Sequence, residues 1–254
     1  MRPSPYETAR YAELVAQACR VLGTLEMTHN ALGHVSRRIA GDHLLIKGKG
    51  VNEVALRYTQ PKDIIEIDFE ANTVDGPVGL RSPSEAFIHI SIYQRFSEVQ
   101  SVIHCHPKHA ITLSACELEV VPLYGQGRPG ALIAVEGVPT YPRSHRITDI
   151  DMADAFTDVM GTSKVALMRG HGITVYGSGV HDATVRAMHF NELLTMNYDS
   201  YLVGTPKPIP VEDYDDLRPR ERPLGSIGGA SAMLGEWRYY CRLAGEEPIL
   251  PNPS

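Results

Sequence analysis

The sequence predicts an α/β fold in which a largely antiparallel sheet is covered by helices. Hairpin patterns alternate with helical patterns along the chain, without the regular strand–helix–strand succession of a parallel sheet. Helical periodicity marks residues 6–27 and 181–203, and short alternating runs between them mark strands. The 254 residues suit one large domain or at most two.

The first half of the chain predicts a helix, a hairpin, a further strand and a second helix. In residues 6–27 apolar residues recur at helical spacing. "HVSRRIAGDHLLIK" predicts two strands around a Gly-Asp turn, the second over residues 44–46, and "DIIEIDFE" alternates as another strand. "NTVDGPVGLRSPSE" is typical of a loop, and Ser84 is the expected N-cap of the helix "EAFIHISIYQRF".

The second half predicts three strands and four helices. Residues 99–106 form a strand, and Pro107 suits the first turn of a following helix. "TDIDMADAFTDVM" predicts a helix capped by Thr148, and "VALMRGHGITVYG" predicts two strands around a Gly-His-Gly turn. Residues 181–203 form a long helix. A Pro-rich, charged segment then leads to the short amphipathic helix "MLGEWRYYCRLAG".

Composition narrows the function classes. Hydrophobic residues make up 43% and charged residues 21%, which is ordinary for a globular protein. A net charge of −6 argues against nucleic acid or an anionic membrane as the main partner. No apolar run approaches the roughly 20 residues of a membrane helix. Four scattered cysteines and no signal-like N-terminus favour a reducing cytoplasm.

Two histidines in "VIHCHPKHA" are candidate metal ligands. Their period-two spacing on a strand aims His104 and His106 at one face, with Cys105 pointing the opposite way. Neutral imidazole is a common ligand of Zn²⁺ and Fe²⁺, although a His-x-His pair alone equally fits a polar strand end. His171, between two glycines in "RGHG", is a third candidate or else a turn histidine without a partner. Three histidines are the set of an open catalytic metal site.

Glu85 in "RSPSEAFIH" opens a helix directly after a loop, on the N-terminal side of the histidine pair. A helix start favours the ionised form of a carboxyl, so Glu85 suits a metal ligand or a general acid/base. The alternative is an ordinary charge at a helix N-terminus, where Glu is common.

These motifs fall in the order of a known family. "GHVSRR", Ser84-Glu85 at a helix start, "HCHP" and "RGHG" resemble the class II aldolase/adducin family over residues 8–205. The resemblance implies a three-layer α/β/α sandwich with a mainly antiparallel central sheet. It also implies a homotetramer with active sites between subunits. We therefore divide the chain into a catalytic domain, residues 1–205, and an extension, residues 206–254, that packs on the domain or on a neighbouring subunit.

The resemblance also assigns the site. It implies that His104, His106 and His171 hold one divalent metal ion per subunit. Zn²⁺ or Mn²⁺ is expected, and Co²⁺ or Fe²⁺ is also compatible with three histidines. Glu85 matches the catalytic acid/base of the family. Tyr124, in "VVPLYGQG", falls where the sugar-phosphate aldolases place a tyrosine that acts across the subunit interface, and a packed surface tyrosine is the alternative.

Three departures from the sugar-phosphate aldolases lie in the phosphate pocket. His34 replaces the Asn of "GNVS", "KGKG" replaces a hydroxyl-bearing turn, and Pro83-Ser84 replaces a pair of serines. These changes weigh against a phosphorylated sugar. The lysines and the arginine that remain in this pocket suit a carboxylate, which charge-assisted hydrogen bonds hold well. The alternative is that these side chains are solvated surface charges. The expected substrate-binding residues are His34, Lys47, Lys49, Arg81 and Ser84.

The altered pocket most resembles a decarboxylase branch of the family. The expected reaction is metal-dependent, non-oxidative decarboxylation of an ortho-hydroxylated aromatic carboxylate or dicarboxylate, such as a dihydroxyphthalate-type or hydroxypyridine-dicarboxylate compound. The alternatives are an aldolase or epimerase acting on a non-phosphorylated substrate, an Fe²⁺-dependent oxygenase, and a non-catalytic adducin-like module. Retention of three histidines and Glu85 argues against the last, because a scaffold needs none of them.

Overall fold

An eight-stranded sheet is the centre of the computed structural model, which describes residues 2–123, 129–217 and 230–251. A separate two-stranded ribbon flanks it. The strands are β1 (His34–Ala40), β2 (His43–Lys47), β3 (Lys49–Gly50), β4 (Ile64–Asp68), β5 (Thr73–Asp75), β6 (Leu80–Arg81), β7 (Ser101–Cys105), β8 (Thr140–Tyr141), β9 (Val165–Met168) and β10 (Gly172–Gly177).

The sheet has the order β5-β4-β2-β1-β7-β10-β9-β8, and β3 pairs with β6 in the ribbon. Neighbouring strands are antiparallel throughout, except that β8 runs parallel to β9. At the centre, β7 lies between β1 and β10. This register places His34 and Thr174 on either side of His104, so that the three side chains share one face of the sheet.

Helices cover both faces of the sheet. One apolar cluster packs five of the described helices on one face, and a second packs two helices on the other. The predicted α/β/α sandwich with a mainly antiparallel central sheet is therefore confirmed. Within the described ranges, no helix combines the length and the apolar character needed to cross a membrane. The helices are α1 (Pro5–Thr24), α2 (Ala86–Arg95), α3 (Lys108–Ala115), α4 (Pro129–Val135), α5 (Ile150–Met160), α6 (Val180–Val203), α7 (Tyr214–Leu217) and α8 (Ala230–Leu243).

The structure corrects several local expectations. Glu85, not Ser84, occupies the cap position of α2, and Asp149, not Thr148, caps α5 by accepting a hydrogen bond from the Met152 amide. The expected loop after β4 contains β5 and β6, and α4 and β8 were not predicted. These elements are only two to seven residues long. Elements this short carry too little periodicity to predict.

The end of the described chain packs against α1 and α6. The Trp237 side chain of α8 is fully buried, and its indole N–H donates to the Ile249 carbonyl at 3.0 Å. Gln17 of α1 donates to the Glu247 carbonyl at 2.6 Å and accepts from the Ile249 amide at 2.8 Å. These contacts attach α8 and the residues that follow it to the rest of the protein. The helix therefore extends the apolar core on the face of the sheet that α1 covers.

We expect Trp237→Ala to destabilise the protein by about 3–5 kcal/mol, because truncating a buried Trp loses transfer free energy and leaves a cavity. Urea unfolding monitored by circular dichroism would measure the free energy of unfolding. Tyr239→Ala is the control, because this side chain of the same helix is 61% exposed. Its effect should stay within about 0.5 kcal/mol. Equal free energies of unfolding for the two variants would contradict the packing of α8.

Candidate active site

Four side chains from separate parts of the chain converge at one end of the central strands. One ligand atom from each of Glu85, His104, His106 and His171 can be chosen so that all four lie within 4.8 Å of one another. Three of these residues are buried and His171 is partly buried. Three imidazole nitrogens and one carboxylate oxygen form a donor set that can hold a divalent cation.

Two of the four come from the end of β7. His104 lies on the strand and is fully buried, and His106 follows it, with its amide donating to the Met27 carbonyl at 3.1 Å. Cys105 packs in the apolar cluster on the other face, as the alternation of the strand predicts. The ring centroids of the two histidines are 4.7 Å apart.

His171 reaches the same place from the turn between β9 and β10. Its amide donates to the Met168 carbonyl at 3.0 Å, and Gly170 has a φ of +59°. At Gly172, β10 passes so close to β7 that only a residue without a side chain fits. A Cβ there would overlap the Cys105 carbonyl and lie 3.0 Å from Cδ2 of His106. The glycines of "RGHG" therefore permit the approach that brings His171 to the histidine pair.

Glu85 occupies the cap position of α2 but does not cap it. Its Oε1 accepts a hydrogen bond from the Ile147 amide at 3.3 Å and lies 3.4 Å from Nε2 of His171. Its Oε2 lies 3.7 Å from Nε2 of His104. The carboxylate thus faces the histidines, and one backbone amide orients it.

Burial sets the protonation of the histidine pair. It lowers the pKa of His104 to about 4 and that of His106 to about 3, so both are neutral near pH 7. Burial also opposes a charge on His171, but the hydrogen bond and charge of Glu85 outweigh it and raise the His171 pKa. Burial likewise opposes the charge of Glu85, but His171 and His104 lower its pKa. In the metal-free site, Glu85 is ionised and stabilises the proton on His171.

Two threonines orient the histidine pair. Nδ1 of His104 lies 3.1 Å from the Thr174 hydroxyl, and Nδ1 of His106 lies 3.3 Å from the Thr28 hydroxyl. Each bond occupies one ring nitrogen and leaves Nε2 for a ligand, as in known metal sites. Neither threonine was predicted from the sequence. The alternation of "GITV" could have indicated Thr174, whereas nothing near Thr28 indicates its partner.

His34 lies beside these ligands. Its ring centroid is 5.4 Å from that of His104, and its Nδ1 is hydrogen-bonded to Nε2 of His89 at 2.7 Å. Burial, the largest cause, lowers the pKa of both His34 and His89, so both rings are neutral. His89 was also missed. It follows Glu85 by four residues, a spacing that places two residues on one helix face and could have indicated it.

The predicted cations do not all lie together. Lys49 pairs across the ribbon with Arg81, and its charge contributes to lowering the pKa of both His34 and His106. Its Nζ donates to the Ala31 carbonyl and lies 3.2 Å from the Glu53 carboxylate. The Arg81 side chain is exposed. Lys49 is therefore the cation that acts on the histidine cluster.

Lys47 lies on the opposite face of the sheet. It alternates with Ile46, which packs against α2, and its charge interacts with Cys19 of α1. Its side chain is fully buried, and Nζ has no hydrogen-bond partner among the described residues. The structure thus does not bring Lys47 to the histidines. Ser84 is exposed next to Glu85, and Tyr124 lies outside the described residues.

Comparison with known proteins gives the family. A family model described as the class II aldolase and adducin N-terminal domain matches residues 13–198. A 3,4-dihydroxyphthalate decarboxylase of Arthrobacter keyseri is 29% identical, covering 93% of this chain and 94% of that protein. A protein of the same name from a Terrabacter species is 32% identical, covering 79% of this chain and 86% of that protein.

Solved structures support the same fold. An aldolase II superfamily protein of Pseudomonas syringae has a TM-score of 0.80 at 20% identity, covering 96% of this chain and 94% of that chain. The decarboxylase relatives confirm the prediction that the protein is a carbon–carbon lyase. With the match of the family model over most of the chain, the protein belongs to the class II aldolase and adducin family.

Proposed function

We propose that the protein is a metal-dependent, non-oxidative decarboxylase of an ortho-hydroxylated aromatic carboxylate or dicarboxylate. Dihydroxyphthalate-type and hydroxypyridine-dicarboxylate compounds are the expected substrates. The observation that carries this proposal is the convergence of three histidines and Glu85 within 4.8 Å, beside His34 and Lys49. Relatives named 3,4-dihydroxyphthalate decarboxylase support the same chemistry.

The residues present fit a divalent cation. His104, His106 and His171 would hold it through ring nitrogens, and Glu85 could add an oxygen. His104 and His106 are neutral and hydrogen-bonded at Nδ1, as metal ligands require. Zn²⁺ or Mn²⁺ is our first choice, with Co²⁺ or Fe²⁺ also compatible. When bound, such an ion supplies a Lewis acid that stabilises the negative charge developing as carbon dioxide leaves.

Glu85 is suited to move the proton of this reaction. Its carboxylate is ionised in the metal-free site, so it can accept the proton of the substrate's phenolic hydroxyl. Loss of carbon dioxide leaves an electron pair on the ring carbon. Glu85, or a water that it orients, then returns the proton to that carbon. The Ile147 amide keeps the carboxylate oriented during both steps.

His34, Lys49, Arg81 and Ser84 are proposed to bind the substrate. Lys49 provides positive charge near the cluster, and Arg81 is its partner across the ribbon; together they suit a second carboxylate that is not lost. The neutral His34 can form a hydrogen bond with a substrate oxygen. Because Lys47 lies on the other face of the sheet, we omit it from the binding site.

We also propose a cytoplasmic homotetramer in which active sites form between subunits and Tyr124 acts on the neighbouring site. The family resemblance supports the assembly. Arg81 and Ser84 are exposed, so both can contact a second subunit. The cysteines, Cys19, Cys105, Cys116 and Cys241, are all free, which fits a reducing compartment.

The proposed ligands predict metal binding of defined stoichiometry. We expect the purified protein to bind about one zinc ion per chain, and His106→Ala to bind none at micromolar concentration while remaining folded. Elemental analysis and a chelator competition would measure this. His109→Ala is the control, because His109 lies outside the cluster and stacks on Tyr198. Equal metal content in the two variants would contradict the ligand assignment.

Zinc affinity should weaken as the pH falls through the raised pKa of His171, because a proton then competes for a ring nitrogen that the metal needs. One competing proton gives a loss of about tenfold per pH unit below that pKa. Calorimetric titrations at several pH values would measure it. In Glu85→Gln the group that raises the His171 pKa is gone, so the loss should begin at lower pH. An affinity independent of pH between 5 and 8, the range in which histidines titrate, would contradict this account.

The reaction itself is tested with 3,4-dihydroxyphthalate, the compound named in the relatives. The wild-type protein should release carbon dioxide without consuming oxygen, and oxygen consumption would instead favour an oxygenase. Glu85→Gln should lower kcat by about 10²–10⁴ because it removes the proton-transfer group. The control Glu70→Gln changes an exposed carboxylate and should retain full activity. Unchanged turnover in Glu85→Gln would exclude its proposed role.

A further inference from the structure

A buried chain of hydrogen bonds leads from His34 away from the ligand cluster. Nδ1 of His34 is 2.7 Å from Nε2 of His89, Nδ1 of His89 is 2.6 Å from the Ser36 hydroxyl, and that hydroxyl is 2.7 Å from the Tyr93 hydroxyl. None of the four residues is more than 3% exposed. The proposed reaction uses only His34, and the other three require an explanation because buried polar groups are costly unless they are paired.

The hydroxyl hydrogens give this chain a direction. Burial raises the pKa of Tyr93, so its phenol stays protonated, and its hydroxyl hydrogen has the Ser36 oxygen as partner among the described residues. Ser36 then has one hydrogen of its own to donate. Its choices are Nδ1 of His89 at 2.6 Å and the Val102 carbonyl at 3.5 Å. The second distance exceeds the normal range for an O–H donor, so Ser36 donates to His89.

The same count of donors and acceptors determines the tautomer of both imidazoles. A neutral His89 that accepts at Nδ1 carries its hydrogen on Nε2, which donates to Nδ1 of His34. A neutral His34 that accepts at Nδ1 carries its own hydrogen on Nε2. That nitrogen has no hydrogen-bond partner in the described part of the chain, and its ring lies against His104. The chain therefore ends in a free N–H donor beside the candidate ligands.

We propose that Tyr93, Ser36 and His89 are positioning residues that hold His34 as a neutral hydrogen-bond donor for an anionic oxygen of the substrate. This inference rests on the proposed function and sharpens its substrate class. A carboxylate or phenolate oxygen accepts such a hydrogen bond, whereas a substrate that offers only a donor at this position leaves a buried N–H unpaired and is rejected. His34 would thus orient the substrate through a hydrogen bond, without adding positive charge to the site.

The tautomer is tested directly by nitrogen NMR of zinc-loaded wild-type protein labelled at its histidine nitrogens. We expect His34 and His89 each to be protonated at Nε2 and unprotonated at Nδ1. Signals are assigned from their loss in His34→Gln and His89→Gln. Protonation of His34 at Nδ1 would overturn the proposal, because Nε2 would then be an acceptor and the chain would run in the opposite direction.

Kinetics with 3,4-dihydroxyphthalate test the consequence for the substrate. Ser36→Ala removes the donor to His89 and should lower kcat/KM roughly tenfold, the size of one hydrogen bond, with unchanged zinc content. The matched control is Ser91→Ala, which removes a buried hydroxyl from the same helix as His89, where it binds Asp154 and Thr157. Its kcat/KM should not change. Equal losses in the two variants would show a general packing effect and refute the positioning role.

Substitutions of His34 separate a donor from a space-filling side chain. His34→Gln keeps an N–H donor close to the position of Nε2, and His34→Leu has a similar volume without one. We expect His34→Gln to retain at least tenfold more kcat/KM than His34→Leu. Equal activities would contradict the donor. If the wild-type protein releases no carbon dioxide, the proposed function fails, while the NMR result still decides the direction of the chain.

Discussion

The antiparallel pairing of β7 with β1 and β10 is the constraint on which the candidate site depends. It places His34 and Thr174 on either side of His104, and the lack of a side chain at Gly172 lets β10 approach β7 closely enough to deliver His171. A shift of one residue in either register would turn these side chains to the opposite face. The apolar residues of the central strands therefore stabilise the site indirectly, because they hold that register on both faces of the sheet.

Burial then decides the chemistry that these side chains can perform. It keeps His104, His106, His34 and His89 neutral, which suits metal ligands and hydrogen-bond donors. Each neutral ring has at least one nitrogen bonded to a hydroxyl or to a second histidine, and His89 has both. These partners offset the cost of burying polar groups and select the tautomer of each ring. At His171, unlike these four rings, a carboxylate reverses the effect of burial.

Features that depend on local periodicity could be predicted from the sequence. Alternation along β7 correctly separated Cys105 from its neighbouring histidines, and hairpin and helix patterns led to the correct fold class. Features that depend on tertiary contacts could not be predicted from the sequence. Lys47 was assigned to the substrate pocket because the resemblance places the "KGKG" turn at the active site, but the alternation of β2 turns Lys47 towards Cys19. The roles of Thr28 and Ser36 depend on partners 78 and 53 residues away, which no local pattern reveals.

The charge balance around Lys49 bears on which carboxylates the proposed site would accept. Lys49 is the cation that acts on the histidine cluster, yet it is already paired with Glu53 at 3.2 Å. A substrate carboxylate must therefore compete with Glu53 for this ammonium group, and a partly exposed ion pair of this kind contributes little stability. A second carboxylate fixed on the same aromatic ring as the first has lost little freedom before it binds, so it can displace Glu53 more readily than a separate anion. In the proposed site, Lys49 and Glu53 together would therefore favour a rigid dicarboxylate over a monocarboxylate, and the neutral His34 would orient that substrate without adding charge.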